Sequence, residues 1–219
     1  MTVSERLSEV ILADVDLKML EPSIYSLCPP GENVNQYDSM GTIYDRVACS
    51  GIYNRLVWGY RTAEYCTLCR TAFEASSDGW VLDAGCCSLA FTAEAYVDDA
   101  KRPVVFLDQS LTLLRMARAR LIELNGAVPD NMMFFHGDVL SLPFRPTCFQ
   151  TIVSMNVLHA VPDPKRMLNE LRRVLSNGGA ITFTTLVANN RLADRYLHML
   201  GRAGALVPRS LDELLQIFA

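Results

Sequence analysis

From Gly79 onward the chain alternates short apolar runs with longer amphipathic stretches, a rhythm that few folds accommodate. The short runs are WVLDA (80–84), PVVFLD (103–108), MMFFHGD (132–138), FQTIVSM (149–155) and AITFTTL (180–186). Consecutive apolar or β-branched positions, rather than every second one, are the pattern of strands buried on both faces. Helical spacing fills the intervals at 89–98, 110–125, 164–176 and 188–204, and a last helix over 210–219 opens on Ser210 as its N-cap. Pro162 and Pro164 mark the entry to the third of these helices, and Asn177-Gly178-Gly179 supplies its stop signal. Strands alternating with helices predict an α/β fold with a doubly wound, mostly parallel sheet. Ligands on such a sheet sit beyond the carboxyl ends of the strands, so the polar residues that close each run are the candidate site.

Before Gly79 the spacing reads as helical over about 3–13, 40–49 and 60–75, interrupted by the loop chemistry of Pro29-Pro30-Gly31-Glu32-Asn33. A chain of 219 residues is one domain, read here as an N-terminal helical cap or lid (1–78) on an α/β core (79–219). No apolar run approaches the roughly 20 residues that span a bilayer. Glu5, Glu9, Asp14 and Asp16 break up the N-terminus where a secretory signal would be continuous, so a cytoplasmic protein with no membrane partner is expected. Seven cysteines, an odd number, fit reduced thiols. Cys66 and Cys69 with Cys86 and Cys87 could in principle make a four-thiolate zinc site. The first pair lies in a helical pattern without zinc-knuckle turns, and the expectation is buried structural cysteines and no metal. A net charge of −4 disfavours a nucleic-acid partner, and Arg115, Arg118 and Arg120 recur at near-helical spacing as a solvated helix face.

The first strand ends in VLDAGCCSLAFT (81–92), which resembles motif I of the class I (Rossmann-like) S-adenosylmethionine-dependent methyltransferases, D-x-G-x-G-x-G. Asp83 and Gly85 match it, while Cys87 and Leu89 stand where the second and third glycines usually are. Glycine serves such a loop through positive φ or by letting backbone approach the ligand. The resemblance continues in FLDQSLTLLRMARARL, where Asp108, with Gln109 beside it, implies the acidic residue that accepts both ribose hydroxyls. In FFHGDVLSLPF it implies Asp138 at the adenine amino group, with Val139 as the apolar wall of the base. From 149 to 184 the chain is similar to the family almost throughout, and Asn156 opens the loop beneath the methyl-donor sulfur. YDRVACSGIYNRLVWGY (44–60) resembles the lid of small-molecule methyltransferases, with Tyr44 closing over the methionine end and Tyr37 and Tyr53 behind it. The other reading of these rings is that they pack the cap on the sheet.

The resemblance therefore implies S-adenosyl-L-methionine as cofactor, S-adenosyl-L-homocysteine as product and a small-molecule acceptor. His159 is the candidate catalytic base, against a structural or substrate-orienting role, and His136 and His198 have no evident chemical partner. The family continues past the helix at 210–219 into further strands. Here the sequence ends at Ala219, which leaves a truncated product or a five-stranded sheet whose exposed edge a second copy covers. Two alternatives stand beside this reading. A degenerate, non-catalytic binding or scaffold subunit is suggested by Cys87 and Leu89. A nicotinamide-dependent oxidoreductase fails at the second glycine of G-x-G-x-x-G, where Cys87 stands.

Overall fold

All five apolar runs form adjacent strands of one sheet, and a hairpin from the N-terminal third joins them. The computed structural model describes residues 3–26, 36–76, 78–99, 101–188 and 192–218. The chain runs α1 (Val3–Val10), β1 (Lys18–Glu21), β2 (Ile24–Ser26), α2 (Gln36–Val47), α3 (Gly51–Tyr53), a π-helical turn (Asn54–Trp58) and α4 (Ala63–Glu74). The core follows as β3 (Val81–Ala84), α5 (Ala93–Asp98), β4 (Val104–Asp108), α6 (Leu111–Asn125), β5 (Met132–His136), β6 (Phe149–Met155), α7 (Pro164–Val174) and β7 (Leu175–Thr184). Helices α8 (Leu192–Arg202) and α9 (Leu211–Phe218) complete it. The seven strands lie in the order β1-β2-β5-β4-β3-β6-β7, all parallel except β1 against β2. From β3 the chain builds outward through β4 to β5 and then returns to place β6 on the other side. The switch point lies between β3 and β6, where ligand crevices form.

Consecutive residues of each strand feed opposite layers, which is why the strands read as unbroken apolar runs. Leu82, Val105, Met133, Phe135 and Ile152 pack with Leu168 and Leu171 of α7 and Leu214 of α9. Their neighbours Val81, Val104, Phe106, Phe134 and Val153 pack with Cys69 and Phe73 of α4, Tyr96 of α5 and Leu114 and Leu121 of α6. Among the described residues, this layer holds Arg102 as a buried cation. Arg102, 6% exposed, donates from Nη1 to Ser76 and Thr151 at 3.1 Å and from Nη2 to the Phe73 carbonyl, and pairs through Nε with Asp99 at 2.9 Å. Arg102→Leu leaves those acceptors unmatched, and urea unfolding is expected to show a loss of about 3 kcal/mol.

The structure corrects the sequence expectations in three places. The sheet has seven strands, not five, because β1 and β2 pair beside β5; Ile24 is fully buried and Tyr25 stacks on Phe135 at 5.5 Å. Among the described residues no strand pairs beyond β7, so β7 and β1 are the sheet's two edges. Second, Asn177-Gly178-Gly179 does not end α7. The helix passes directly into β7 through an extended Leu175, and the glycines lie where the strand's register shifts against β6. Third, the arginines of α6 are more than a solvated face, although Arg115 stays exposed. Arg115 and Arg118 hold Glu21 of the hairpin at 2.6 and 2.8 Å, and Arg120 holds Asp45 of α2 at 2.7 Å. The hydrogen bond from Arg115 keeps the Glu21 carboxyl below its ordinary pKa. The Pro29–Asn33 loop and the side chain of Tyr37 lie outside the described residues.

Candidate active site

The loop after β3 is built on left-handed backbone. Gly85 has φ 82°, and Cys87 and Leu89, where the family has glycines, have φ 53° and 54°. The turn that glycines usually supply is thus kept by side-chain-bearing residues, each at a strain of about 1 kcal/mol. Both residues border the cleft, and each side chain finds a packing partner. Leu89 is 1% exposed in the core layer with Phe106 and Leu114. The Cys87 thiol meets Cys49 of the cap, and that contact together with burial holds it protonated, well above the ordinary thiol range. At Gly85 no such space exists, because a Cβ there would stand 2.4 Å from Val157 Cγ2. The loop is tied down from two sides. Cys87 N–H donates to Asp108 Oδ2 at 2.8 Å, and the Ser88 hydroxyl donates to Asp45 of α2.

Asp108 closes β4 half-buried, and its second oxygen accepts Ser110 N–H at 2.9 Å, so the expected ribose ligand also organises the loop and the start of α6. Ser110 caps α6, accepting Leu113 N–H at 3.2 Å. Asp138 follows β5, half-buried, with Oδ1 accepting Leu140 N–H at 2.8 Å; Val139 beside it is 4% exposed. His136 does have partners, Gln109 O at 3.0 Å and Ser26 Oγ at 3.3 Å, and so ties the hairpin to the end of β4.

A cleft of about 400 Å³ opens above the switch point, floored by Asp83, Gly85, Cys87, Met155 and Asn156 and walled by aromatic residues of the cap. Asp108, Gln109, Asp138 and Val139 are not among its lining; they lie along the neighbouring strand ends. Asp83 is buried, accepts the Tyr96 hydroxyl at 2.7 Å, and is pushed up to about 7 by burial, opposed by that hydrogen bond and helped by the charge of Asp108. Asn156, left-handed at φ 59°, donates from Nδ2 to Tyr65 at 2.6 Å and to Tyr60 at 3.3 Å, joining the cap to the sheet. Phe91 stacks on Tyr65 at 5.7 Å, while Tyr53, Trp58 and Tyr196 of α8 form a second aromatic group. Tyr44 lines the cleft as expected and so does Tyr53, but Tyr60, Tyr65, Trp58 and Tyr196 share that role. Single aromatics carry no such signal in sequence, because only the fold shows which of them face the cleft. Trp58 ends a π-helical turn, a rare element concentrated at functional sites, with Gly59 (φ 81°) closing it.

His159 lines the cleft but is not arranged as a base. Its Nδ1 accepts Leu186 N–H at 3.1 Å, so the neutral ring carries its proton on Nε2. Burial and the nearby charge of Arg209 push its pKa down to about 4. The unfolded chain therefore binds a proton here that the folded chain refuses, and this site's contribution to stability is lost as pH falls from about 6.5 to about 4. Comparing the native chain with His159→Phe by thermal melting should show the native chain's relative stability rising with pH across that window. Cys66, Cys69 and Cys86 are buried in the core layer, and burial pushes the thiols of Cys66 and Cys69 up.

Residues 82–183 match the family model described as "Methyltransferase domain". Over these residues the chain is similar to methyltransferase domains. The chain is 31% identical over 153 residues to the demethylmenaquinone methyltransferase of Clavibacter sepedonicus, covering 69% of this chain and 57% of that protein. It is 32% identical over 155 residues to the malonyl-[acyl-carrier protein] O-methyltransferase of Pectobacterium atrosepticum, covering 71% and 55%. The chain thus spans little more than half the length of these relatives. Among solved structures, the phosphoethanolamine N-methyltransferase 2 of Haemonchus contortus, in complex with phosphomonomethylethanolamine and S-adenosylhomocysteine, superposes with a TM-score of 0.63 at 15% identity. That likeness covers 84% of this chain and 41% of the other and concerns the fold. No helix of the described residues is long and apolar enough to cross a membrane.

Proposed function

We propose that the protein is an S-adenosylmethionine-dependent methyltransferase whose cleft receives a small-molecule acceptor. The observation that carries this reading is the loop 85–89, which keeps left-handed backbone at all three motif positions, two without glycine, directly beneath an aromatic cleft. A loop free of ligand duty would have no reason to hold Cys87 and Leu89 in that strained form, and the ground for a non-catalytic subunit weakens accordingly. Asp108 would hold the ribose, with Gln109 beside it, and Asp138 and Val139 would hold the base. The floor of Asp83, Gly85, Cys87 and Asn156, with Tyr44 above, would take the methionine end. A carboxylate offers about four acceptor sites, so the backbone bonds of Asp108 are compatible with ribose hydroxyls. When bound, S-adenosylmethionine supplies an electrophilic methyl carbon on a sulfonium.

The rest falls to the chain itself. In-line transfer needs the acceptor atom within about 3–3.5 Å of its target, and the cap and α8 supply the walls that orient it. Tyr60, Tyr65 and Phe91, locked by Asn156, exclude water from the floor. His159 presents an N–H donor and takes up no proton. The name of one curated relative, demethylmenaquinone methyltransferase, supports a small acceptor. The free thiols of Cys49, Cys66, Cys69, Cys86, Cys87 and Cys148 support a reducing, cytoplasmic setting. Incubation with methyl-labelled S-adenosylmethionine and a small-molecule cell extract should place label in an extractable product. Absence of label with the native chain, or equal label with Asp108→Ala, contradicts the reading.

A further inference from the structure

Between the cap and α8 the cleft forms an apolar chamber lined by Tyr53, Trp58, Tyr196, Leu200 and Leu206, with His159 among its lining. Tyr53 meets Trp58 and Tyr196 edge-on at 6.5 Å, Trp58 lies 5.7 Å from Tyr196, and the Tyr53 hydroxyl donates to that of Tyr196 at 3.1 Å. The two phenols are thereby turned toward each other, and ring surface is left to the cavity. No lysine or arginine lines the cleft among the described residues, and its one acid, Asp83, lies on the floor beneath the chamber. An anion placed here would find no counter-charge, and neither would a cation at the chamber's height; burying either unpaired is prohibitive.

His159 brings a polar group to this lining. The proton of His159 is on Nε2, because Nδ1 is taken by Leu186 N–H. No partner meets Nε2 among the described residues, yet none of their enclosed side-chain nitrogens or oxygens lacks a hydrogen bond, so Nε2 opens on the cleft. A donor in an apolar chamber favours a ligand that brings an acceptor to it.

We propose that the acceptor is an uncharged, predominantly aromatic or hydrocarbon molecule whose hydroxyl or carbonyl oxygen accepts the Nε2–H of His159 while its apolar body lies on Trp58 and Tyr196. This names the substrate class of the methyltransferase site and rests on that reading. His159 is a positioning residue: it fixes the oxygen's place and leaves the proton balance of transfer to solvent.

The test uses three probes of one shape and different charge: 4-phenylphenol, biphenyl-4-carboxylate and 4-phenylbenzylamine. Each is titrated at pH 7 by calorimetry into the native chain containing S-adenosylhomocysteine, whose own binding is measured first. The phenol, neutral at this pH, should bind about 100-fold more tightly than either ion, as an unpaired buried charge demands. His159→Phe should weaken the phenol about tenfold, the worth of one hydrogen bond, and His159→Gln, which keeps an N–H donor near that place, should restore most of it. Trp58→Ala should weaken the phenol by a larger factor than it weakens S-adenosylhomocysteine. Equal or tighter binding of either ion, no binding of the phenol, or a phenol affinity indifferent to Trp58→Ala and His159→Phe overturns the proposal. Failure of S-adenosylhomocysteine alone to bind, with the phenol still bound, overturns the methyltransferase reading and leaves the ligand class standing.

Discussion

Asp108→Ala is expected to weaken S-adenosylhomocysteine about 100-fold, the worth of two charge-assisted hydrogen bonds of about 1.5 kcal/mol each. The expectation has two sources. The carboxylate at the end of β4 is the acceptor we assign to the ribose hydroxyls. The same group accepts Cys87 N–H at 2.8 Å and Ser110 N–H at 2.9 Å, so its removal also loosens the left-handed loop and the entry to α6. Asp108→Asn separates the two sources. It keeps one acceptor oxygen and much of the local shape, and affinity should fall by less than in Asp108→Ala while the thermal midpoint moves little. Equal losses in both variants would mean that charge, rather than loop geometry, dominates.

Gly85→Ala should destabilise the chain by about 3 kcal/mol and abolish cofactor binding in whatever remains folded. A left-handed φ of 82° costs an L-residue about 1–2 kcal/mol, and forcing a methyl into a packed site costs about 1–3 more. Its Cβ would stand 2.4 Å from Val157 Cγ2, and Val157 follows Asn156, so any relief of the clash moves the cleft floor as well. Cys87→Gly is the control. It removes strain at an adjacent left-handed position without filling space, and denaturant unfolding should show a stability equal to or slightly above that of the native chain. If Gly85→Ala melts with the native chain, the loop has another conformation and the argument from its shape fails.

These two variants also show what the sequence could and could not disclose. The core strands were legible because parallel strands buried on both faces leave unbroken apolar runs, as in Val104–Leu107. The hairpin was not. β2 is three residues long and β1 is mostly exposed, so KMLEPSIYS carries neither the length nor the periodicity of a strand pair; its place depends on Ile24 and Tyr25 finding Phe134 and Phe135 across more than a hundred residues. The site was half legible. Asp83, Gly85, Asp108, Asp138 and Asn156 fall at strand ends, where the rule for open α/β sheets places them. Cys87 and Leu89 read as obstacles because spacing cannot show where a Cβ points; the fold gives one the cap and the other the core. His159 read as a base because its residue type suggests one, whereas its tautomer is set by Leu186 N–H, a contact between two loops. Arg120, whose spacing reads as a solvated face, also joins α6 to α2 through Asp45.

Calorimetric titration of the purified chain with S-adenosylmethionine tests the central claim most directly. The account predicts saturable one-to-one binding in the micromolar range, displaced by S-adenosylhomocysteine. A folded, monodisperse protein that takes up no S-adenosylmethionine would contradict it.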